Sequence, residues 1–354
     1  MKTSELSQLP VAPAWSTRAG AESDVVLAAR TRLSRNLSGY PYPPGASPSD
    51  LEASTQAVLE AARGELSPEP FGADSLELNP AGFSSRELHF LAERSLSDGA
   101  SPTRIMVTPD ERLSLVVGAI DHLRIVTIAP GLALRSALEL ARSVDQKLEA
   151  RLNYAVAMDW GYLSSEITNL GTGLRASVLV HVPVLAQLDR LESMSASMEN
   201  SGYELLPYFP DDGFGAGGAA LCLLRNRRGL GSDEEAIVGK LEDYTSKLVH
   251  YERVARDELR AAQGEEIADS ANRALGVLRF ARSLSAVEAR SLVSHLRLGI
   301  VAGLVSGVAV ETVTSLLLIN QESHLERNRP SEGVGEIDVV RARVFRDILD
   351  AGHA

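Results

Sequence analysis

The chain has a single cysteine, Cys222. That excludes an internal disulfide and a zinc site built from thiolates. Long apolar runs are also lacking. The most apolar stretch, Leu298–Val310, is shorter than the roughly 20 residues a membrane-spanning helix needs, and its glycines and alanines suit a buried helix. The N-terminal Met1–Ser16 is polar and carries prolines, without the apolar centre of a signal peptide. Basic residues are outnumbered: 35 Lys and Arg against 47 Asp and Glu leave a net charge of −12. That balance argues against a general nucleic-acid binder, which carries a basic face. The expectation is a cytoplasmic protein that binds neither nucleic acid nor membrane. The composition is that of a globular protein, 44% hydrophobic and 23% charged, and 354 residues suffice for two domains with a sizeable core.

One stretch organises the rest. Asn169-Leu170-Gly171-Thr172-Gly173-Leu174-Arg175-Ala176-Ser177 runs on into Val178–Pro183 and reads as a glycine-rich turn feeding a β-strand. Two glycines let the backbone approach a ligand closely. Arg175 and Ser177 lie two apart and share one face of the strand. An arginine there suits a phosphate or carboxylate, which its planar fork grips with two hydrogen bonds. By spacing alone a plain hairpin turn is the better fit.

Upstream, Asp24–Leu37 begins as a β-run with Arg30 and Arg32 on one face. Two like charges side by side cost energy unless an anion lies between them or both are solvated. Leu51–Leu66 and Ser84–Leu96 read as amphipathic helices, the second with Ser84 and Glu87 as a capping box. Arg104–Thr108 and Leu113–Val117 read as a hairpin, and Asp121–Ile128 as a third strand. Tight turns between them imply an antiparallel meander, not a βαβ core. The helix Leu132–Leu152 would cover one face.

Gly213, Gly215 and Gly218 spell Gly-x-Gly-x-x-Gly, but Ala219–Leu224 after them reads as a strand where a dinucleotide fingerprint needs a helix. Arg225, Arg227 and Arg228 read as a solvated hairpin end. Ser232 caps a long helical region that breaks near Gly264 and continues through Arg282. Ala286–Leu298, Ala309–Asn320 and Val339–Ala351 follow as helices.

These motifs resemble, in order and spacing over about residues 22–349, the phosphagen (ATP:guanidino) kinase family. Within it the C-terminal segment around Leu296–Leu318 is similar to bacterial protein-arginine kinase. The resemblance implies an α+β fold: a small helical N-terminal part, an antiparallel sheet flanked by helices, and an all-helical C-terminal domain. It divides the chain into an N-terminal tail (1–20), a kinase-like catalytic domain (21–262) and a helical domain (263–354). It implies ATP with Mg²⁺ as cofactor, its phosphates held by Arg30, Arg32, Arg124, Arg175 and the adjoining Ala176 and Ser177. It implies a homodimer formed through the helical domain, a protein substrate or client, and a zinc-binding activator protein. It also implies a phosphoarginine pocket at Ile337-Asp338-Val339-Val340-Arg341-Ala342, where Asp338 and Arg341 remain and Ile337 replaces an arginine.

The departures cluster on the substrate side. The family's Asn-Glu-Glu-Asp-His-x-Arg is here Gly118-Ala119-Ile120-Asp121-His122-Leu123-Arg124. Ala119 and Ile120 replace both glutamates, one of which orients the attacking guanidinium. On a regular strand Asp121 would face away from Ile120 and Arg124. The family's Cys-Pro is here Glu166-Ile167, whose carboxylate either pairs with a guanidinium or marks a site released from turnover. Ser95 stands where the family has a nucleotide-associated histidine, and Tyr208 falls near the position of a phosphate-binding arginine. The loop after it carries no later acid. The expectation is a catalytically impaired homologue, a pseudokinase with a binding or regulatory role. The alternative is an active protein-arginine kinase using Glu166 or Asp121 as its acid.

Overall fold

A computed structural model of the chain describes residues 5–97, 102–215, 217–327 and 336–351. Residues 1–4 of the N-terminal tail and Ala216 of the glycine-rich loop lie outside them. The described part of the tail packs down, with Leu6, Leu9 and Trp15 buried.

The chain opens with β1 (Val26–Arg35), then α1 (Pro48–Glu65), β2 (Leu76–Leu78) and α2 (Ser85–Glu93). A meander follows: β3 (Arg104–Val107), β4 (Leu113–Val117) and β5 (Leu123–Pro130), closed by α3 (Leu134–Glu149). The small hairpin β6 (Val156–Ala157) and β7 (Gly161–Tyr162) leads into β8 (Leu174–His181). Then come α4 (Pro183–Gln187), α5 (Leu191–Glu199), β9 (Tyr203–Pro207) and β10 (Leu221–Asn226). The remainder is helical: α6 (Glu234–Phe280), α7 (Ala286–Val301), α8 (Val310–Ile319), α9 (Glu322–Arg327) and α10 (Ile337–Ala351).

Eight strands form one antiparallel sheet in the order β2-β3-β4-β5-β1-β8-β10-β9. This is the α+β architecture expected, with its helical C-terminal part. β1 lies in the interior, bonded to β5 on one side and β8 on the other. Its side chains alternate. Ala29 and Leu33 face a core shared with α3 residues Leu134, Leu138 and Ala141. Ala28 faces the other way, joining Ile128, Leu179 and Leu221 against Val293 and Leu296 of α7 and Leu317 of α8. The helical C-terminal part thus covers one end of the face on which Arg30 and Arg32 also lie.

Local signals account for most boundaries. Ser84 and Glu87 form the capping box that starts α2. Two expectations shift. The cap of α6 is Asp233, whose carboxylate accepts from Ala236 N at 2.7 Å, rather than Ser232. The third meander strand starts at Leu123, because residues 118–122 form a bend before pairing begins. The single long helix α6 carries non-helical dihedrals at Gln263, φ −138° and ψ 34°.

A buried ion pair ties β1 to α3. Arg35 donates from Nε to both Asp145 oxygens at 3.1 Å and from Nη2 to Oδ2 at 2.5 Å. Its Nη1 donates to the carbonyls of Ser34 and Thr172, and its guanidinium stacks 3.6 Å from the Tyr162 ring centre. Every donor face of this cation is thereby occupied. Asp145→Ala would leave it buried with only Glu234, 4.0 Å away, as a counter-charge, so an expected loss of about 3–5 kcal/mol should appear in chemical denaturation. Replacing both partners, Arg35→Met with Asp145→Leu, should recover much of that loss.

Candidate functional site

Strand register builds the site. Arg30 of β1 sits opposite Ser177 of β8 and Arg32 opposite Arg175. On the other side Arg30 faces Ile128 and Arg32 faces Val126, which brings Arg124, two residues earlier on β5, opposite Ser34. Because the side-chain period is two, Arg30, Arg32, Arg124, Arg175 and Ser177 all project from the same face. They come from three strands that meet only in the folded chain. A cavity of about 80 Å³ opens there, lined by Arg30, Arg32, Arg175, Ala176, Ser177, Leu223 and Arg225.

Arg225 was expected on a solvated hairpin end. It lies instead inside β10, opposite Ser177, so it faces the same cavity. β10 runs to Asn226, two residues past the Leu224 at which the sequence pattern ends it, and leads into α6. Arg227 and Arg228 lie beyond the strand.

The electrostatics are those of an incomplete site. Nε and Nη2 of Arg30 are shielded from solvent and have no hydrogen-bond partner among the described residues. Burial, and after it the charge of Arg32, pulls Arg30 down to about 10. The same two causes pull Arg124 to about 9 and Arg175 to about 10. Burial also lowers Arg32, against the opposing pull of Glu166 and Asp121. All four remain cationic at neutral pH. Tyr208, the neutral residue near the expected arginine position, adjoins Arg30, and burial raises its phenol to about 12. Ser95 has positive φ, 62°, just past the end of α2.

The acids divide sharply. Asp121 is fully buried and its carboxylate is saturated. It accepts from Asn36 Nδ2 and Ser164 Oγ at 2.7 Å, Ser165 N at 3.2 Å, Asn169 Nδ2 at 3.4 Å and Arg124 Nη2 at 3.5 Å. The expectation that it faces away from Arg124 fails because it precedes the strand, and the bend turns it inward. Glu166 has a side chain 40% exposed at the rim of the cluster. Its Oε2 lies 3.5 Å from Arg124 Nη2 and accepts from Asn169 Nδ2 at 2.9 Å. Asn169 also accepts from Arg32 Nη2 at 3.1 Å. Ala119 and Ile120 lie in the bend beside Asp121, half-buried and without any titratable group.

The glycines of the turn serve the protein's own backbone. Gly171 and Gly173 have φ of +91° and +68°. A Cβ on Gly173 would stand 2.6 Å from Ser34 O and from Arg35 Nη1, and one on Gly171 2.8 Å from Gly229 O. The close approach is to strand β1 and to the loop after β10.

In the helical part, Asp338 and Arg341 are ion-paired with each other. Arg341 is buried and donates to Leu284 O at 2.7 Å, so its guanidinium is engaged by its own domain. Among the described residues no group of three or more His, Cys, Asp or Glu is placed to hold a metal ion. No helix among them is long and apolar enough to cross a membrane.

The family model described as ATP:guanido phosphotransferase, C-terminal catalytic domain, matches residues 83–255. That described as protein-arginine kinase McsB C-terminal domain matches residues 264–354. The protein-arginine kinase of Halothermothrix orenii is 32% identical over 340 residues, covering 95% of this chain and 96% of the relative. The chain belongs to the protein-arginine kinase family. A second member, from Symbiobacterium thermophilum, is 33% identical over 355 residues, with 95% and 96% covered. Solved structures of similar fold include the duplicated taurocyamine kinase from Schistosoma mansoni, with a TM-score of 0.55 and 18% identity over 75% of this chain and 39% of that one. Lombricine kinase follows at a TM-score of 0.50 and 18% identity, covering 69% and 71%. The arginines that resemblance to the family singled out are those that the sheet gathers.

A cation whose shielded nitrogens, like Nε and Nη2 of Arg30, lack a partner among the described residues costs stability. Arg30→Met should therefore raise the ligand-free melting temperature, by about 2–4 °C for each kcal/mol recovered. A fall in thermal unfolding would mean that the Arg30 charge is compensated in the native state.

Proposed function

We propose that this protein-arginine kinase homologue binds ATP, with Mg²⁺ carried on the phosphates, and transfers the γ-phosphate poorly. The observation that carries the reading is Arg30, whose Nε and Nη2 are shielded and have no hydrogen-bond partner among the described residues, in a cavity walled by Arg32, Arg175 and Arg225. Like charges held this close are stabilised by an anion between them. Arginine forks suit phosphate oxygens, and phosphoryl transfer depends chiefly on such positioning and charge neutralisation.

The substrate side lacks the matching parts. Ile120 can neither accept a proton nor hold a cation. Asp121 has its oxygens committed to five donors. Loss of general-base help typically costs about 10²–10⁴ in rate, and loss of positioning adds to that. The role that follows is binding or regulation in the cytoplasm, as a homodimer through the helical domain, with a protein client and a zinc-binding activator as partners. Exposed apolar side chains support a polypeptide client: Ile167, next to Glu166, is 82% exposed, and Val156, Met158 and Trp160 are exposed in the β6–β7 hairpin region.

One observation favours the active alternative. Glu166 presents a partly exposed carboxylate next to Arg124. A substrate guanidinium could displace Asn169 from it and be held at the edge of the arginine cluster.

Transfer of labelled γ-phosphate from ATP to an arginine-rich protein such as casein, read as acid-labile phosphoarginine, separates the two. The expected result is ATP binding with little or no label. Label lost in both Arg175→Ala and Glu166→Gln would establish the active reading and assign Glu166 the role of the missing glutamate.

A further inference from the structure

We infer that Arg225 is a phosphate ligand of this site, gripping a phosphate oxygen of a nucleoside triphosphate from the β10 side, with Glu204 as the carboxylate that orients it. The inference rests on the proposed ATP-binding reading and adds a residue to it.

Three observations carry it. The first is placement. Arg225 pairs with Ser177, which pairs with Arg30, so the three form a row across adjacent strands spaced about 4.8 Å apart. Ser177 is small, and the two long arginines can converge over it where the cavity lies. The second is charge. Arg225 is among the like charges that pull down Arg30, Arg32 and Arg175. A further cation added to such a cluster is unfavourable unless an anion arrives. The third is valence. Glu204, directly across on β9, takes only Nε, at 2.5 Å. Nη1 and Nη2 have no partner among the described residues, and the side chain is 38% exposed. Those two nitrogens are the donors left for an oxyanion. Arg227 Nε stands 3.9 Å from the other Glu204 oxygen, so the carboxylate keeps a second cation when Arg225 leans inward.

A simple cross-strand ion pair is the competing account. It would steady the sheet and contribute nothing to ligand binding.

Calorimetric titration of the full chain with ATP and with inorganic tripolyphosphate distinguishes them. Arg225→Ala should weaken both by about tenfold, the scale of one charge-assisted hydrogen bond. Arg225→Lys should recover part of the loss, since it keeps the charge and loses the fork. Should Arg225→Ala fail to fold by circular dichroism, Arg225→Gln serves in its place. Wild-type binding of both ligands with unchanged affinity in the variant overturns the role of Arg225 and leaves ATP binding standing. A loss for ATP alone, with tripolyphosphate unaffected, overturns the phosphate assignment. A wild type that binds neither ligand sinks the ATP-binding reading itself and this inference with it.

Discussion

The double pairing of β1 is the constraint on which the rest depends. A strand hydrogen-bonded on both edges has no freedom of register, because a slip of one residue would turn Ala29 and Leu33 out of the core and the arginines into it. β5 and β8 are far from β1 in sequence, yet each is held residue by residue against it. Arg124 and Arg175 therefore reach Arg30 and Arg32 without any loop having to be positioned. Arg35, on the opposite face, locks the strand to α3 through Asp145 and to the turn before β8 through Thr172.

A cluster of cations at the middle of a sheet needs support. That support is uneven. Asp121, Asn169 and Glu166 form a hydrogen-bonded group that joins the start of β5, the turn before β8 and the tip of Arg32. Toward β9 and β10 the support thins to Glu204 and to the Asn226 carbonyl, which accepts from Arg175 Nη1 at 3.0 Å. Arg30, between them, has none among its shielded nitrogens. The charge left uncompensated thus faces the cavity.

The helical part is close to this site in two ways. It packs on the apolar end of the same sheet face, through α7 and α8. It also holds the loop between β9 and β10: Arg290 of α7 binds Asp212 from Nη2 at 2.6 Å and from Nε at 3.1 Å, in a buried pair. Asp212 in turn accepts from Ala219 N, which starts the return into β10. The segment that delivers Arg225 is consequently anchored on the helical domain. Contacts of α2 with α9, including the Arg86–Glu326 ion pair, bring the N-terminal part against the same helices.

Local patterns determined a good deal by themselves. The period-two spacing of Arg30 and Arg32, and of Arg175 and Ser177, fixed which residues share a face, since pleating enforces it. The Ser84–Glu87 box fixed where α2 begins, since both hydrogen bonds are made within four residues. The replacement of glutamate by Ile120 was equally plain, since it is a matter of identity. Tertiary structure decided what depends on distant partners. Whether Asp121 points toward Arg124 depended on where β5 starts pairing, and that is set by β4 and β1. Whether Arg225 is a hairpin end or a wall of the cavity depended on how far β10 runs along β8. The signature glycines looked like a ligand cradle, yet their neighbours are Ser34 and Gly229, which only folding brings near. The sequence specifies side-chain chemistry and short-range geometry; strand pairing over long separations decides which of those chemistries meet.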